Sequence, residues 1–362
     1  MSIRILHLIP NLSGGGAERQ LSYLAPELVR MGHDIHIAYS REGNYKLDLP
    51  GVELHQLKTR SNYDPYLLWQ VDRLTRRIKP DIIHTWILQM DILGGIVARL
   101  NSIPWIFREP SSSMAYPATW KNRLRVWVGS NASAIVCNSR GGEEYWKAQI
   151  PRSHRYIIPN GLPSFEIERT AASLPAGLAN LEGPVVLYVG RLTSDGSAEK
   201  NLNVFLEAFA RLRQQEDVFA ILCGDGPQRT ELEMLRHKLG LDADVHFTGY
   251  LPAVSVWALL KKASVFVSLS EYEGCPNSVM EAMACGCPLV LSDIPAHREI
   301  LDETCALFVE PSNIQQTADV ITQALNNANA SKSRALIAKE KTGKWSITEM
   351  ARNYERVYQK CA

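Results

Sequence analysis

Several features are missing from these 362 residues, and each absence removes a class of protein. No apolar run is long enough to span a bilayer, and the chain opens on the strand-like IRILHLI. Neither a membrane-spanning helix nor a signal peptide is therefore expected. Cysteine is sparse: seven residues, odd in number and scattered. Cys285 and Cys287 form C-x-C, which is not a paired zinc spacing. No disulfide framework or structural metal is expected, and the chain reads as reduced and cytosolic. There is no G-x-G-x-x-G and no P-loop lysine, which weakens dinucleotide and ordinary ATPase readings. Short repeats and low-complexity tracts are also absent.

What is present suits two ordinary domains. Hydrophobic residues make up 46% of the chain, ample for two cores. The net charge of +1 hides an asymmetry. Up to Leu162 there are 20 Lys+Arg against 13 Asp+Glu, a net of +7; from Pro163 there are 19 against 25, a net of −6. A basic half suits phosphates or an anionic membrane face, unless the asymmetry is only surface drift. Strands are expected at Ile3–Ile9, Ile35–Tyr39, Val52–Leu57, Ile82–Thr85, Trp105–Arg108 and Ala134–Cys137. A second series is expected at Val185–Val189, Phe219–Cys223, Val245–Phe247, Val265–Leu269 and Leu289–Leu291. Helix-length amphipathic stretches such as Asn201–Gln214 and Arg229–Leu239 lie between them. The alternation predicts an α/β fold of two Rossmann-like domains with parallel sheets. The boundaries fall at 1–162, a linker at 163–183, a second domain at 184–343 and a final helix at 344–362.

Ligands of such sheets bind beyond the carboxyl ends of the strands, so the loops there carry the information. After the first strand, Gly14, Gly15 and Gly16 lead into a helix ending near Gly32. They form either a phosphate- or sugar-approach loop using positive φ, or a flexible turn. After Val189, Arg191 and Lys200 flank a helix start, which suits a diphosphate or is two solvated charges. Gly224 and Gly226 bracket Asp225, and Gly249, Tyr250 and Leu251 follow the next strand. Each is a close-approach edge or a tight turn. In EYEGCPNSVMEAMACGC, Asn277 or Ser278 would cap a helix that Gly286 ends. Glu273 then lies in the preceding loop and Glu281 one turn inside. Pro276 argues against a helix continuous through both.

Glu273-x7-Glu281 followed by AMACGCPLV resembles the E-x7-E motif of retaining glycosyltransferases of family 4, which have the GT-B fold. GGGAER, GRL…EKN, GDGP and HFTGYLP fall in that family's order, so the resemblance covers nearly the whole chain. It implies transfer of a hexose or N-acetylhexosamine from a UDP- or GDP-sugar, with a central cleft between an acceptor domain and a donor domain. It also implies that the final helix crosses back to the first domain. By position, Arg191 and Lys200 would hold the diphosphate and stabilise its departure. Glu273 would contact the transferred sugar beside Cys275, Asn277 and Ser278. Glu281 would take the ribose, with Tyr250 or Leu251 at the base. Gly15, Gly16 and Gly224 would complete the donor site. The implied chemistry is a same-face reaction, with double displacement through a carboxylate as runner-up.

Where some members carry a histidine, the chain reads WIFREPSSSM. Arg108 and Glu109 are the acceptor or sugar candidates there, with a structural salt bridge as the other reading. His84 reads as a strand-end histidine. Asp242-Ala243-Asp244 reads as turn chemistry, and no metal or cofactor is expected. Trp120, Leu124 and Trp127 are spaced as a helical stripe among Lys121, Arg123 and Arg125. The stripe is either membrane-facing or core. The GGAE-type loop resembles enzymes of bacterial surface-polysaccharide assembly. The expected partners are a nucleotide sugar, a glycan or polyprenyl-linked acceptor and an anionic membrane at the cytoplasmic face, with no nucleic acid. The alternatives are a small soluble acceptor or a non-catalytic binding module.

Overall fold

The computed structural model describes residues 2–12, 15–42, 48–59, 64–111, 119–193 and 200–362. It divides into two compact units, Met1–Gly161 with Trp345–Ala362, and Leu162–Lys344.

Unit 1 runs β1 (Arg4–Asn11), α1 (Gly16–Arg30), β2 (Asp34–Arg41), β3 (Glu53–Gln56), α2 (Tyr66–Ile78), β4 (Ile82–Trp86) and α3 (Leu88–Asn101). It continues with β5 (Trp105–Glu109), α4 (Trp120–Gly129), β6 (Ala134–Cys137), α5 (Arg140–Gln149) and β7 (Arg155–Ile157). Its strands are all parallel, in the order β3-β2-β1-β4-β5-β6-β7. β4 and β5 are buried at every position, as strands covered on both faces must be. Alternate residues of β1 serve opposite cores. Ile5 and Ile9 pack with Leu21, Leu24 and Leu28 of α1. Leu6 and Leu8 pack with Leu67 and Val71 of α2, Val97 of α3, Val128 of α4 and Trp146 of α5.

Unit 2 runs α6 (Ser164–Arg169), β8 (Val185–Val189), α7 (Leu202–Arg213), β9 (Phe219–Cys223), α8 (Arg229–Lys238), β10 (Val245–Gly249), α9 (Ala253–Lys262) and β11 (Val265–Ser268). Then come α10 (Asn277–Ala284), β12 (Leu289–Ser292), α11 (Pro295–Arg298), β13 (Leu307–Val309), α12 (Ile314–Asn326) and α13 (Ala328–Lys341). Its strands are also parallel, in the order β10-β9-β8-β11-β12-β13. All eleven strands expected from the sequence form. Two more, β7 and β13, occupy the sheet edges. Each has three residues and is only partly buried, too short to show a period.

The last helix, α14 (Ile347–Cys361), belongs to unit 1. Ser346 caps it by accepting from the Glu349 N–H (3.1 Å), and Met350, Tyr354 and Val357 form its buried stripe. The Tyr358 hydroxyl is hydrogen-bonded to His84 Nδ1 (2.8 Å). His84 is therefore not at a strand end. It lies in the middle of β4, fully buried, and burial holds its imidazole well below the usual histidine range.

Beneath α4 lies a buried ion network. Arg125 contacts Asp91 (2.7 Å) and Glu109 (2.9 Å). Asp91 also accepts from the Thr85 hydroxyl (2.7 Å), and Glu109 from Trp146 Nε1 (2.9 Å) and the Ser111 N–H (2.8 Å). These contacts join β4, β5, α3, α4 and α5. Burial pushes the Asp91 carboxyl up even with Arg125 opposing it. Arg125→Leu leaves two buried carboxylates without their cation and is expected to destabilise the chain by about 3–5 kcal/mol at neutral pH. The loss should shrink as pH falls, because protonation removes the uncompensated charge of Asp91, whose carboxyl burial already pushes up. Urea unfolding across pH checks this, and a loss independent of pH refutes it.

Candidate functional site

In an open parallel sheet, the loops leaving two neighbouring strands diverge where strand order reverses, and ligands bind in that gap. In unit 2 the reversal falls between β8 and β11, which pair directly. Arg191 stands just past β8, Lys200 just before α7, and Glu273 in the loop after β11. Lys200 Nζ forms an ion pair with Glu273 Oε1. The Ser270 hydroxyl donates to the same oxygen (2.8 Å). Burial pushes the Glu273 carboxyl up, but Lys200 overrides it, so the group is held below the usual glutamate range. Sequence reasoning gave these two residues separate tasks; the structure joins them.

Two devices fix this pair, and the sequence reading singled out neither. Asn201 adopts φ 52°, ψ 41°, the left-handed region that asparagine tolerates. Its amide donates to the carbonyls of Leu269 (3.0 Å) and Pro311 (3.3 Å), tying the start of α7 to the end of β11. An asparagine directly ahead of a helix was the available signal. Behind the Glu273 loop, the Ser292 hydroxyl donates to the Ser270 carbonyl (2.5 Å). His297 Nδ1 lies 2.8 Å from the Ser292 carbonyl. A carbonyl only accepts, so Nδ1 carries the proton and Nε2 is the bare acceptor. His297 is fully buried, and its Nε2 has no hydrogen-bond partner among the described residues. Burial keeps this imidazole below its ordinary range. Nothing in DIPAHREI distinguishes it in sequence.

Arg191 is exposed, and its carbonyl accepts from the Tyr188 hydroxyl (3.0 Å). The loops after β8, β9 and β10 lie backbone against backbone. Gly190 N–H donates to the Cys223 carbonyl (3.0 Å), and Gly224 N–H to the Gly249 carbonyl (2.9 Å). A Cβ on Gly224, at φ +140°, would fall 1.9 Å from the Gly190 carbonyl oxygen. The neighbouring loop itself therefore requires glycine there. Tyr250 is half-buried, and Leu251 lines a surface groove with Thr170, Leu174, Val254 and Ala258.

Pro276 occupies the N-cap of α10, so Asn277 and Ser278 are its first helical residues rather than its cap. Both are half-buried. Gly286 follows the helix at φ +68°, as a C-terminal glycine does. Cys275 turns inward, its sulfur 3.2 Å from that of Met280. Glu281 lies one turn inside α10 and is only 2% exposed.

In unit 1 the reversal falls between β1 and β4. Gly15 caps α1 with φ −64°, and Gly16 opens the helix. Neither uses a positive φ, and Gly14 lies outside the described residues. Ile87, just past β4, has φ +73°, a strained value for a β-branched residue. Arg108 is 2% exposed. Its guanidinium lies 4.8 Å from the Trp86 ring centre and donates to the Asn160 side-chain oxygen. Glu109 is a member of the Arg125 network.

Among the described residues, His36, Glu53 and His55 bring three possible metal-ligand atoms within 4.8 Å of one another. His36 Nδ1 and His55 Nε2 are already bonded to each other (3.0 Å), and Arg77 Nη2 lies 3.4 Å from His55, a charge that opposes a metal ion. Asp242 pairs with Arg236 and His237, and Asp244 with Arg213, ahead of β10.

Residues 14–164 match the family described as Glycosyltransferase Family 4, and residues 172–342 match Glycosyl transferases group 1. The alpha-D-kanosaminyltransferase of Streptomyces kanamyceticus is 28% identical over 252 residues, 66% of this chain and 64% of that protein, just under two thirds of its length. An N-acetylgalactosamine-N,N'-diacetylbacillosaminyl-diphospho-undecaprenol 4-alpha-N-acetylgalactosaminyltransferase of Campylobacter jejuni is 24% identical over 329 residues, 84% of this chain and 85% of that one. The crystal structure of Anabaena Alr3699/HepE in complex with UDP-glucose superposes with a TM-score of 0.84 at 19% identity, over 99% of this chain and 100% of that one. At that identity the likeness is one of fold.

Lys200→Met leaves Glu273 largely buried with Ser270 as its remaining named partner. The carboxyl should then titrate above the usual glutamate range instead of below it. In the native chain the pairing stabilises at neutral pH, and that contribution fades as pH falls through the depressed Glu273 value. The variant should be less stable by about 1–2 kcal/mol at neutral pH and converge with the native chain in acid. Unfolding curves that stay parallel across pH would sink the assignment.

Proposed function

We propose that this chain, whose residues 14–164 and 172–342 match Glycosyltransferase Family 4 and Glycosyl transferases group 1, is a GT-B glycosyltransferase that transfers a hexose or N-acetylhexosamine, with retention, from a nucleotide diphosphate sugar to a glycan or lipid-linked glycan. The observation that carries the proposal is the Lys200–Glu273 ion pair at the strand-order reversal of unit 2, with exposed Arg191 on the loop that leaves β8 there.

On this reading the diphosphate binds between Arg191, Lys200 and the positive end of α10. An ammonium has three donors, so Lys200 can hold Glu273 and a phosphate oxygen together. The same cations stabilise the charge that develops as the diphosphate leaves, the kind of interaction that often dominates such catalysis. They supply that charge without a metal. An ionised Glu273 accepts from hydroxyls of the transferred sugar, and Glu281 from the ribose. One oxygen of Glu273 already accepts from Lys200 and Ser270, which reduces its power as a nucleophile and favours the same-face route. Arg108 and Glu109 are left out of the reacting groups, since both are built into the frame of unit 1. The solved neighbour with UDP-glucose supports a UDP-sugar as the first donor to try, and the undecaprenol-linked relative supports a polyprenyl-diphosphate acceptor.

The test is release of nucleotide from a panel of UDP- and GDP-sugars, with and without a membrane extract as acceptor source. Arg191→Ala and Lys200→Ala should each lower kcat by about 10²–10³-fold. Glu281→Gln should act mainly on donor KM, by about tenfold, the loss of one charged hydrogen bond. No release from any sugar in either condition would overturn the proposal.

A further inference from the structure

The stripe on α4 faces the opposite way from an ordinary amphipathic helix. Its core side carries Asn122, Arg125, Val128 and Gly129, with Arg125 neutralised by buried carboxylates. Its outer side carries Trp120 and Trp127, 66% and 63% exposed, with exposed Arg123 between them and half-buried Lys121 and Leu124 beside them. Single exposed apolar side chains are normal, but two indoles on one outward stripe are a surface feature.

The stripe is not isolated. α3 packs against both α2 and α4, so the three helices share one face of the sheet. On α2, Tyr66 and Trp69 are exposed and stacked, their ring centres 5.0 Å apart. The Arg73 guanidinium lies 5.2 Å from the Trp69 ring centre. Arg76 and Arg77 follow on the next turn, both exposed. α3 adds exposed Arg99 and Leu100. The acids of these helices are engaged: Asp72 holds Arg76 (2.8 Å), Asp91 is buried with Arg125, and α4 contains none.

We infer that the α2–α3–α4 face of unit 1 docks on an anionic lipid surface, its indoles at the headgroup level and its cations against lipid phosphates. Interfacial helices combine aromatic and basic side chains in this way, and anionic headgroups complement a face that shows cations and no unpaired acid. A second copy of the chain is a poorer occupant, because a two-fold contact would set these cations against themselves. No described helix is long and apolar enough to cross a membrane, so the contact is peripheral. The inference does not depend on the transfer reaction, since binding is read without turnover.

The experiment is sedimentation of the full chain with phosphatidylcholine vesicles containing about a third phosphatidylglycerol, against phosphatidylcholine alone. The chain should pellet with the anionic vesicles only, less so as salt is raised. Trp120→Ser with Trp127→Ser should weaken binding at least about tenfold. Arg73→Glu with Arg123→Glu, which touches no indole, should do the same through charge. Both double variants should keep the native melting temperature, because the substituted side chains are exposed. No binding to anionic vesicles, or binding that neither double variant weakens, overturns the inference. So does a dimer in gel filtration that the tryptophan variant dissolves while vesicle binding is absent.

Discussion

A carboxylate removed from water needs a cation or several donors within reach, and much of both units is arranged around that requirement. In unit 1, Asp91 and Glu109 share Arg125, while Thr85, Trp146 and Ser111 donate to them. These named partners belong to elements around the same sheet, and the group is sealed from solvent, so it works as a frame. In unit 2, Glu273 shares one oxygen between Lys200 and Ser270 at a strand-order reversal, and the side chains remain 20% and 14% exposed for Glu273 and Lys200. The chemistry of the two clusters is the same. Access for a ligand distinguishes a frame from a site.

Access is also what a sequence does not display. Arg108 and Glu109 occupy the end of β5, where a parallel sheet offers its ligands residues, and the family resemblance made them candidates by their place in the chain. The residues that absorb Glu109 come from α4 and α5, distant in the chain and unreadable as partners beforehand. Central strands such as β4 and β5 were legible because strands covered on both faces show unbroken apolar runs. β7 and β13 were not, because three partly buried residues carry no period. The position of Glu273 ahead of a helix was legible through Pro276. The tie from Asn201 to Leu269 and the support from His297 through Ser292 were not, since both join segments that only the fold brings together.

The α4 stripe shows a different limit. Periodicity fixes which residues share a helical face but not whether that face points inward. From the sequence, Trp120, Leu124 and Trp127 read as either membrane-facing or core. The sign was set elsewhere, by Arg125, which had two carboxylates waiting on the sheet side. Once that ion network is buried, helical geometry turns the tryptophans outward. One polar contact in the interior therefore determines the character of a surface.

The same economy bears on the proposed donor site. Lys200 and Glu273 cancel each other's charge, so together they offer a diphosphate little net attraction. The excess positive charge must come from Arg191, which is exposed, and from the positive end of α10. On this reading Lys200 gives one of its three donors to Glu273 and keeps the others for a phosphate oxygen, while Glu273, with one oxygen taken by Lys200 and Ser270, turns its other oxygen to a sugar hydroxyl. The ion pair then couples the two ends of the donor through a single ammonium.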